Sequence, residues 1–266
     1  MHNNIKDLLL GEESCSIGKI GSIELFHISH LADDEEMSFL GNTLAVNAGI
    51  NGKTKQEVEY WAKTFCRAIS NLDVILAWNN NEKEEKIIAK FFNGKYVCEE
   101  FTDIEPFFHG KDGWHYALKD KKVLVVSSFK DSIESQLANY SKIWEGAEIG
   151  SCEVIKCPQP HQITGEDPSY FLENIKKLGE QISEKDFDIC IIGAGGYSLP
   201  LCHYVKFLGK RAIHLGGATQ VLFGIRGNRF DRNFADQDWY GTEHFISPLE
   251  SDIPKFKDKV EEACYW

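Results

Sequence analysis

The chain is expected to fold as an α/β protein of Rossmann-like type, with a mostly parallel sheet, helices on both faces and two closely packed halves. Two patterns lead there. Short apolar runs alternate with amphipathic stretches of about 10–15 residues along much of the chain, which is the rhythm of βαβ units. The clearest unit is DFDICIIGAGGYSLPLCHYVKFLGKRAIHLGG, residues 186–217, which reads as strand, glycine turn, helix and second strand. Length agrees: 266 residues, 42% of them hydrophobic, suffice for one large domain or two packed halves.

Within that unit, Ser198 is placed to cap a helix, Pro200 falls in the first turn where a missing N–H does no harm, and Gly209 suits the stop. Ligands of open α/β sheets bind in the crevice beyond the carboxyl ends of the strands, so the glycine turn there draws attention.

From the start, a polar leader precedes a short strand over 16–20, which breaks at Gly21. Ser22, Ile23 and Glu24 then open a short amphipathic helix, and Glu24 at this corner is either an ordinary helix-start acid or a site residue. Residues 41–43 and 47–52 form an Asn- and Gly-rich loop, in which Asn42 or Asn47 either contacts a sugar or phosphate or serves turn chemistry alone. Thr54 with Glu57 makes a capping box for the next helix, and 73–78 is a buried strand. The charge run over 82–86 reads as a solvated helix face.

Residues 101–113 are irregular and aromatic and mark a boundary between halves, with His109 and His115 nearby read as packing residues. The division is 1–113 for an N-terminal α/β half, 114–230 for a Rossmann-like nucleotide-binding half, and 231–266 for a wrapping tail. In the second half, 122–127, 153–157, 189–192 and 211–215 read as strands, with helices over 133–144, 168–182 and 218–223.

Charge and composition exclude several classes. A net charge of −12 with no basic tract argues against nucleic acid. No apolar stretch approaches the roughly 18 residues of a membrane span, and the start shows no signal-peptide pattern. The chain is therefore expected in the cytoplasm, with a peripheral place at the inner face of the membrane left open. Its eight cysteines include no CxxC pair and read as reduced core residues.

The glycine turn G-A-G-G-Y-S carries Gly193, Gly195, Gly196 and Tyr197. Its backbone amides suit an anion, but Ser198 stands where the third glycine of G-x-G-x-x-G belongs, and no acid follows the next strand to hold a ribose. NAD is therefore not expected. His214, beside Gly216 and Gly217, is placed either to contact a phosphate or hydroxyl or to satisfy a backbone carbonyl. Arg226 and Arg229 either clamp a diphosphate or balance Asp231 and Asp236. Absent G-x-S-x-G and H-E-x-x-H patterns leave acyl-transfer hydrolysis and zinc peptidase chemistry without support.

Several blocks together resemble bacterial GT-D-type glycosyltransferases and GT-D-like domains of surface-polysaccharide gene clusters. They are 21–25 (GSIEL), Asn47-Ala48-Gly49, KKVLVVSSF with Gln136 after it, DFDICIIGAGGYSLPL, GKRAIHLGGATQVLFGIRGNRF and the terminal Cys264-Tyr265-Trp266. The similarity covers most of the chain. It implies a Rossmann-like fold and a nucleotide-sugar donor, with a glycan or lipid-linked acceptor. The family's Asp-x-Glu motif, associated with Mn2+ or Mg2+, falls on Ser22, Ile23 and Glu24, so the Asp is lost and one carboxylate remains as metal ligand or general base. The resemblance raises Glu24 to a candidate catalytic residue, and its place at a strand end adds His214 as the second. Nucleotide-sugar contacts are expected from Gly21, Ser22, Asn47, Ser127, Ser128, Gly193, Gly195, Gly196, Tyr197, Gly216, Gly217, Gln220, Arg226 and Arg229. An inactive nucleotide- or glycan-binding module, or a Rossmann-type enzyme using a dinucleotide or S-adenosylmethionine, are the competing readings.

Overall fold

Seven parallel strands form one sheet in the order β3-β2-β1-β7-β6-β4-β5 in the computed structural model, which describes residues 1–33 and 43–266. The strands are β1 (Cys15–Lys19), β2 (Val74–Leu76), β3 (Tyr96–Cys98), β4 (Lys122–Ser127), β5 (Ser151–Lys156), β6 (Ile189–Gly193) and β7 (Arg211–His214). The sheet is continuous across the expected boundary near residue 113, because β1 pairs with β7 through Ile17 and Ile213.

Helices α1 (His2–Leu10), α2 (Ser22–Ile28), α3 (Thr43–Ala48), α4 (Lys55–Ser70) and α5 (Glu82–Phe91) belong to the first half. The second half contributes α6 (Lys130–Gln136), α7 (Tyr140–Ile143), α8 (His161–Thr164), α9 (Phe171–Ser183), α10 (Ser198–Phe207), α11 (Ala218–Leu222) and α12 (Asn228–Asn233).

Period-two alternation assigns strand side chains to two cores. Ile17, Val125, Ile191 and Ile213 pack on one face with Leu9 of α1, Ile133 of α6 and Phe223. Ile75, Leu124, Val126 and Ile192 pack on the other, against Trp61 and Phe65 of α4, Leu178 of α9 and Leu201 of α10. Both faces are covered, as continuous apolar strands require. The outgoing chains of β1 and β6 lead to the α4/α10 face, whereas those of β4 and β7 lead to the α6/α11 face. Neighbouring strands thus part company at β1/β7, β7/β6 and β6/β4, and a crevice opens there.

Local details depart from the sequence reading where packing decides. The polar leader is helix α1, because Ile5 and Leu9 reach the core. Of the residues expected in the Asn- and Gly-rich loop, Thr43, Asn47 and Ala48 belong to helix α3, which buries Leu44 and Ala48, while Gly41 and Asn42 lie outside the described residues. The helix expected over 133–144 is broken into α6, a 3-10 turn and α7. Ser198 begins α10 instead of capping it, its Oγ accepting from the Ala194 amide at 3.0 Å. Thr54 does cap α4, accepting from the Glu57 amide at 3.2 Å, while Glu57 reaches the Lys53 amide at 2.7 Å.

The tail does more than wrap the surface. Trp239 packs 4.8 Å from Phe107 and Phe234 lies 5.5 Å from Phe108, so the aromatic segment at 101–113 is sealed by the end of the chain.

Candidate functional site

A cleft of about 290 Å³ lies over the carboxyl ends of β1, β7, β6 and β4. The exit of β1 lines it with Lys19, Gly21, Ser22, Ile23 and Glu24; β4 adds Ser127, Ser128 and Phe129; β6 adds Gly193, Ala194, Gly195 and Tyr197. The exit of β7 supplies His214, Gly216, Gly217, Thr219 and Gln220, and α3 supplies Asn47. Arg229, Glu261, Tyr265 and Trp266 close one wall. The fold therefore gathers Glu24 and the glycine turn, far apart in sequence, into one crevice.

Two expected residues are not brought there. Arg226 points away, its Nε 3.1 Å from Asp231 Oδ1, as a half-exposed surface ion pair. Gly196 is turned inward: its carbonyl accepts from the Trp61 indole at 3.0 Å, and a Cβ at this position would lie 2.5 Å from Ile50.

Glu24 sits in the first turn of α2, and burial holds its carboxyl up at about 7, with Glu261 adding repulsion and its own backbone amide opposing. The cost of removing a carboxylate from water exceeds what one amide returns. The side chain curls back onto Gly21, where a Cβ would stand 2.2 Å from Oε2.

His214 is buried, and desolvation followed by the charge on Lys19 pushes its imidazole down to about 3. Nδ1 lies 3.3 Å from the Ile192 carbonyl, which can only accept, so Nδ1 carries the proton and Nε2 the lone pair. A neutral ring in this tautomer accepts from a hydroxyl at Nε2 and supplies no positive charge to a phosphate.

The glycine turn is shaped by close chain approach. Gly195 has φ +51, and a Cβ there would stand 2.6 Å from the Ala48 carbonyl of α3. Within the turn the Ala194 amide goes to Ser198 Oγ and the Tyr197 amide to the Ala194 carbonyl. The Tyr197 hydroxyl accepts from Asn174 at 3.0 Å, so its role is to brace the turn against α9. Ser127 Oγ accepts from the Phe129 amide at 3.2 Å and shapes the β4 exit.

Sequence reasoning missed Lys19 and the tail. Lys19 ends β1 with its ammonium 3.4 Å from Glu105 Oε1 and 4.0 Å from the centroid of Trp78. Gln220 donates to the Tyr265 carbonyl at 2.9 Å and fixes the tail in place, while its Oε1 and Thr219 Oγ1 are buried without a hydrogen-bond partner among the described residues. Arg229 stacks on Tyr265 at 4.8 Å, donates to its hydroxyl at 3.2 Å and pairs with Glu261. The position of Lys19, at the carboxyl end of a strand flanking a switch point, was the one available signal.

The described residues do not build a divalent-cation site. Ser22 replaces the expected Asp, Glu261 is engaged by Arg229, and no group of three or more His, Cys, Asp or Glu able to hold a metal occurs among the described residues. No helix of the described residues is long and apolar enough to cross a membrane. No protein-family model, curated protein or solved structure matches the chain.

Proposed function

We propose that the protein is a glycosyltransferase that moves a sugar from a nucleotide-activated donor to a hydroxyl of a glycan or lipid-linked acceptor. The observation that carries the reading is Glu24, a buried carboxyl held near 7 in the same cleft as the turns that end β6 and β7. A base titrating near neutrality is matched to removing a hydroxyl proton. The resemblance to GT-D-type proteins, and a crevice at the carboxyl ends of a doubly wound sheet, favour a nucleotide-sugar as the partner of that base.

In the proposed reaction the acceptor oxygen bonds to the anomeric carbon while its proton passes to Glu24. The bond from that carbon to the diphosphate oxygen breaks, and its electron pair leaves with the nucleoside diphosphate. Arg229 lines the cleft to meet the charge that develops there. Neutral His214 accepts a hydrogen bond from a sugar or ribose hydroxyl through Nε2.

Glu24→Gln tests this directly. Transfer from the cognate donor should fall by about 10²–10⁴ with folding intact, the usual worth of a positioned base. Full activity in a folded Glu24→Gln protein would remove Glu24 from the mechanism. A second reading, an inactive module that binds a nucleotide or glycan, is favoured by Ser22 in place of the expected Asp; tight nucleotide binding without turnover in any donor would select it.

A further inference from the structure

Lys19 is the one charged residue of a strand that is buried along its whole length. Lys19 is 8% exposed, and lysines are almost never buried so far unless paired. Its hydrogen-bond partner among the described residues is Glu105, itself buried but absent from the cleft wall. Lys19 does line the cleft. An ammonium has three protons, and the long contact to Glu105 leaves donors for a group inside the cleft.

Arg229 is the second cation on the wall. The two flank consecutive glycines. A Cβ at Gly216 would meet Lys19 Cε at 3.4 Å, and one at Gly217 would meet the Tyr265 ring, on which Arg229 stacks, at 2.8 Å. Burial and then, beyond the pull of Glu105, the charge of Arg229 disfavour the Lys19 ammonium. Two like charges facing one cavity are relieved by an anion placed between them. Arg229 keeps capacity for it, since Nη1 donates to the Tyr265 hydroxyl and Nη2 to Glu261 and Cys264 Sγ, which leaves further guanidinium protons.

We infer that Lys19 and Arg229 together hold the diphosphate of a ligand in this cleft, supplying from the chain itself the positive charge that a divalent cation would otherwise bring. The inference rests on the nucleotide-sugar reading for the ligand, and extends it by naming Lys19 as a diphosphate-binding residue. The competing role for Lys19 is structural, as half of a buried ion pair against Trp78.

The two roles separate by calorimetric titration of the full chain in EDTA, with inorganic pyrophosphate and the mono- and diphosphates of uridine, guanosine and cytidine. Lys19→Met and Glu105→Gln both break the pair, and the double variant Lys19→Met/Glu105→Leu removes both buried charges should either single variant fail to fold. The wild type should bind pyrophosphate and a nucleoside diphosphate in EDTA. Lys19→Met and the double variant should weaken both by about tenfold or more, as loss of a charge-assisted contact does, while Glu105→Gln stays close to wild type. Undiminished binding by Lys19→Met, an equal loss in Glu105→Gln, abolition by EDTA, or no binding of either probe by the wild type would overturn the inference. Lys19-dependent binding of pyrophosphate with no binding of any nucleotide would leave the diphosphate site standing and bring down the nucleotide-sugar reading instead.

Discussion

The Glu24 carboxylate folds back over the α-carbon of Gly21, so closely that a Cβ at Gly21 would stand 2.2 Å from Oε2. Gly21 has φ −65 and ψ 153, a conformation any residue adopts. Its glycine is therefore explained by the carboxylate above it. Gly21→Ala should leave the backbone intact, change stability by no more than about 1 kcal/mol, and displace the Glu24 side chain. Transfer activity should drop while the melting temperature barely moves. A variant with full activity would show that the curled carboxylate is not the working geometry.

Glu24 also predicts a pH dependence of stability. Its ordinary value is 4.5 and the folded value is about 7, so between these limits the folded protein holds a proton that the unfolded chain releases. The favourable contribution is complete below about 4.5 and lost as pH rises through 7, amounting to about 3 kcal/mol over that window. Glu24→Gln mimics the neutral form at every pH. Urea denaturation should find the variant level with wild type near pH 4.5 and more stable than it at pH 8; an unchanged difference at the two pH values would rule out a raised carboxyl.

For His214 the sign is opposite. Burial lowers its folded value to about 3, so its contribution is present above the ordinary 6.5 and is lost as pH falls from there towards 3. Nitrogen-15 NMR of labelled histidine should show a neutral ring protonated at Nδ1 throughout pH 5–8. A midpoint near 6.5 would contradict the buried, carbonyl-bound tautomer.

The two arginines of the GIRGNR segment should behave differently. Arg226→Ala removes an exposed pair worth roughly 0–1 kcal/mol and should leave ligand binding unaffected. Arg229→Ala removes a cation from the cleft wall and unpins Tyr265, so nucleoside diphosphate binding should fall by about tenfold or more. Equal effects of the two in titration calorimetry would deny Arg229 its place in the site.

How much of this was legible in the sequence depends on distance along the chain. The unit over 186–217 was readable because strand, turn, helix and stop are all local, and its strands β6 and β7 pair as neighbours. Glu24 was visible as an acid at a strand-to-helix corner, but the repulsion it feels comes from Glu261, more than 200 positions away. Lys19 offered only its place at a strand end as a signal, since its partner Glu105 is 86 residues distant and a lysine ending a strand is ordinarily solvated. The tail carries no periodicity that separates a cleft wall from a surface wrap; long-range contacts such as the hydrogen bond from Gln220 to the Tyr265 carbonyl, 45 residues apart, reveal its position. Arg226 and Arg229 are indistinguishable in sequence, and which one faces the cleft is settled by the turn into α12.

The central claim is that this crevice binds the nucleoside diphosphate portion of an activated sugar. Thermal unfolding of the full chain with UDP, GDP, CDP, NAD and S-adenosylmethionine, each with and without Mn2+, tests it most directly. A ligand at about 100 times its dissociation constant stabilises the fold by about 2.7 kcal/mol. The account predicts a rise of several degrees for at least one nucleoside diphosphate, retained without Mn2+, and none for NAD or S-adenosylmethionine. A rise with NAD or S-adenosylmethionine alone, and none with any nucleoside diphosphate, would contradict it.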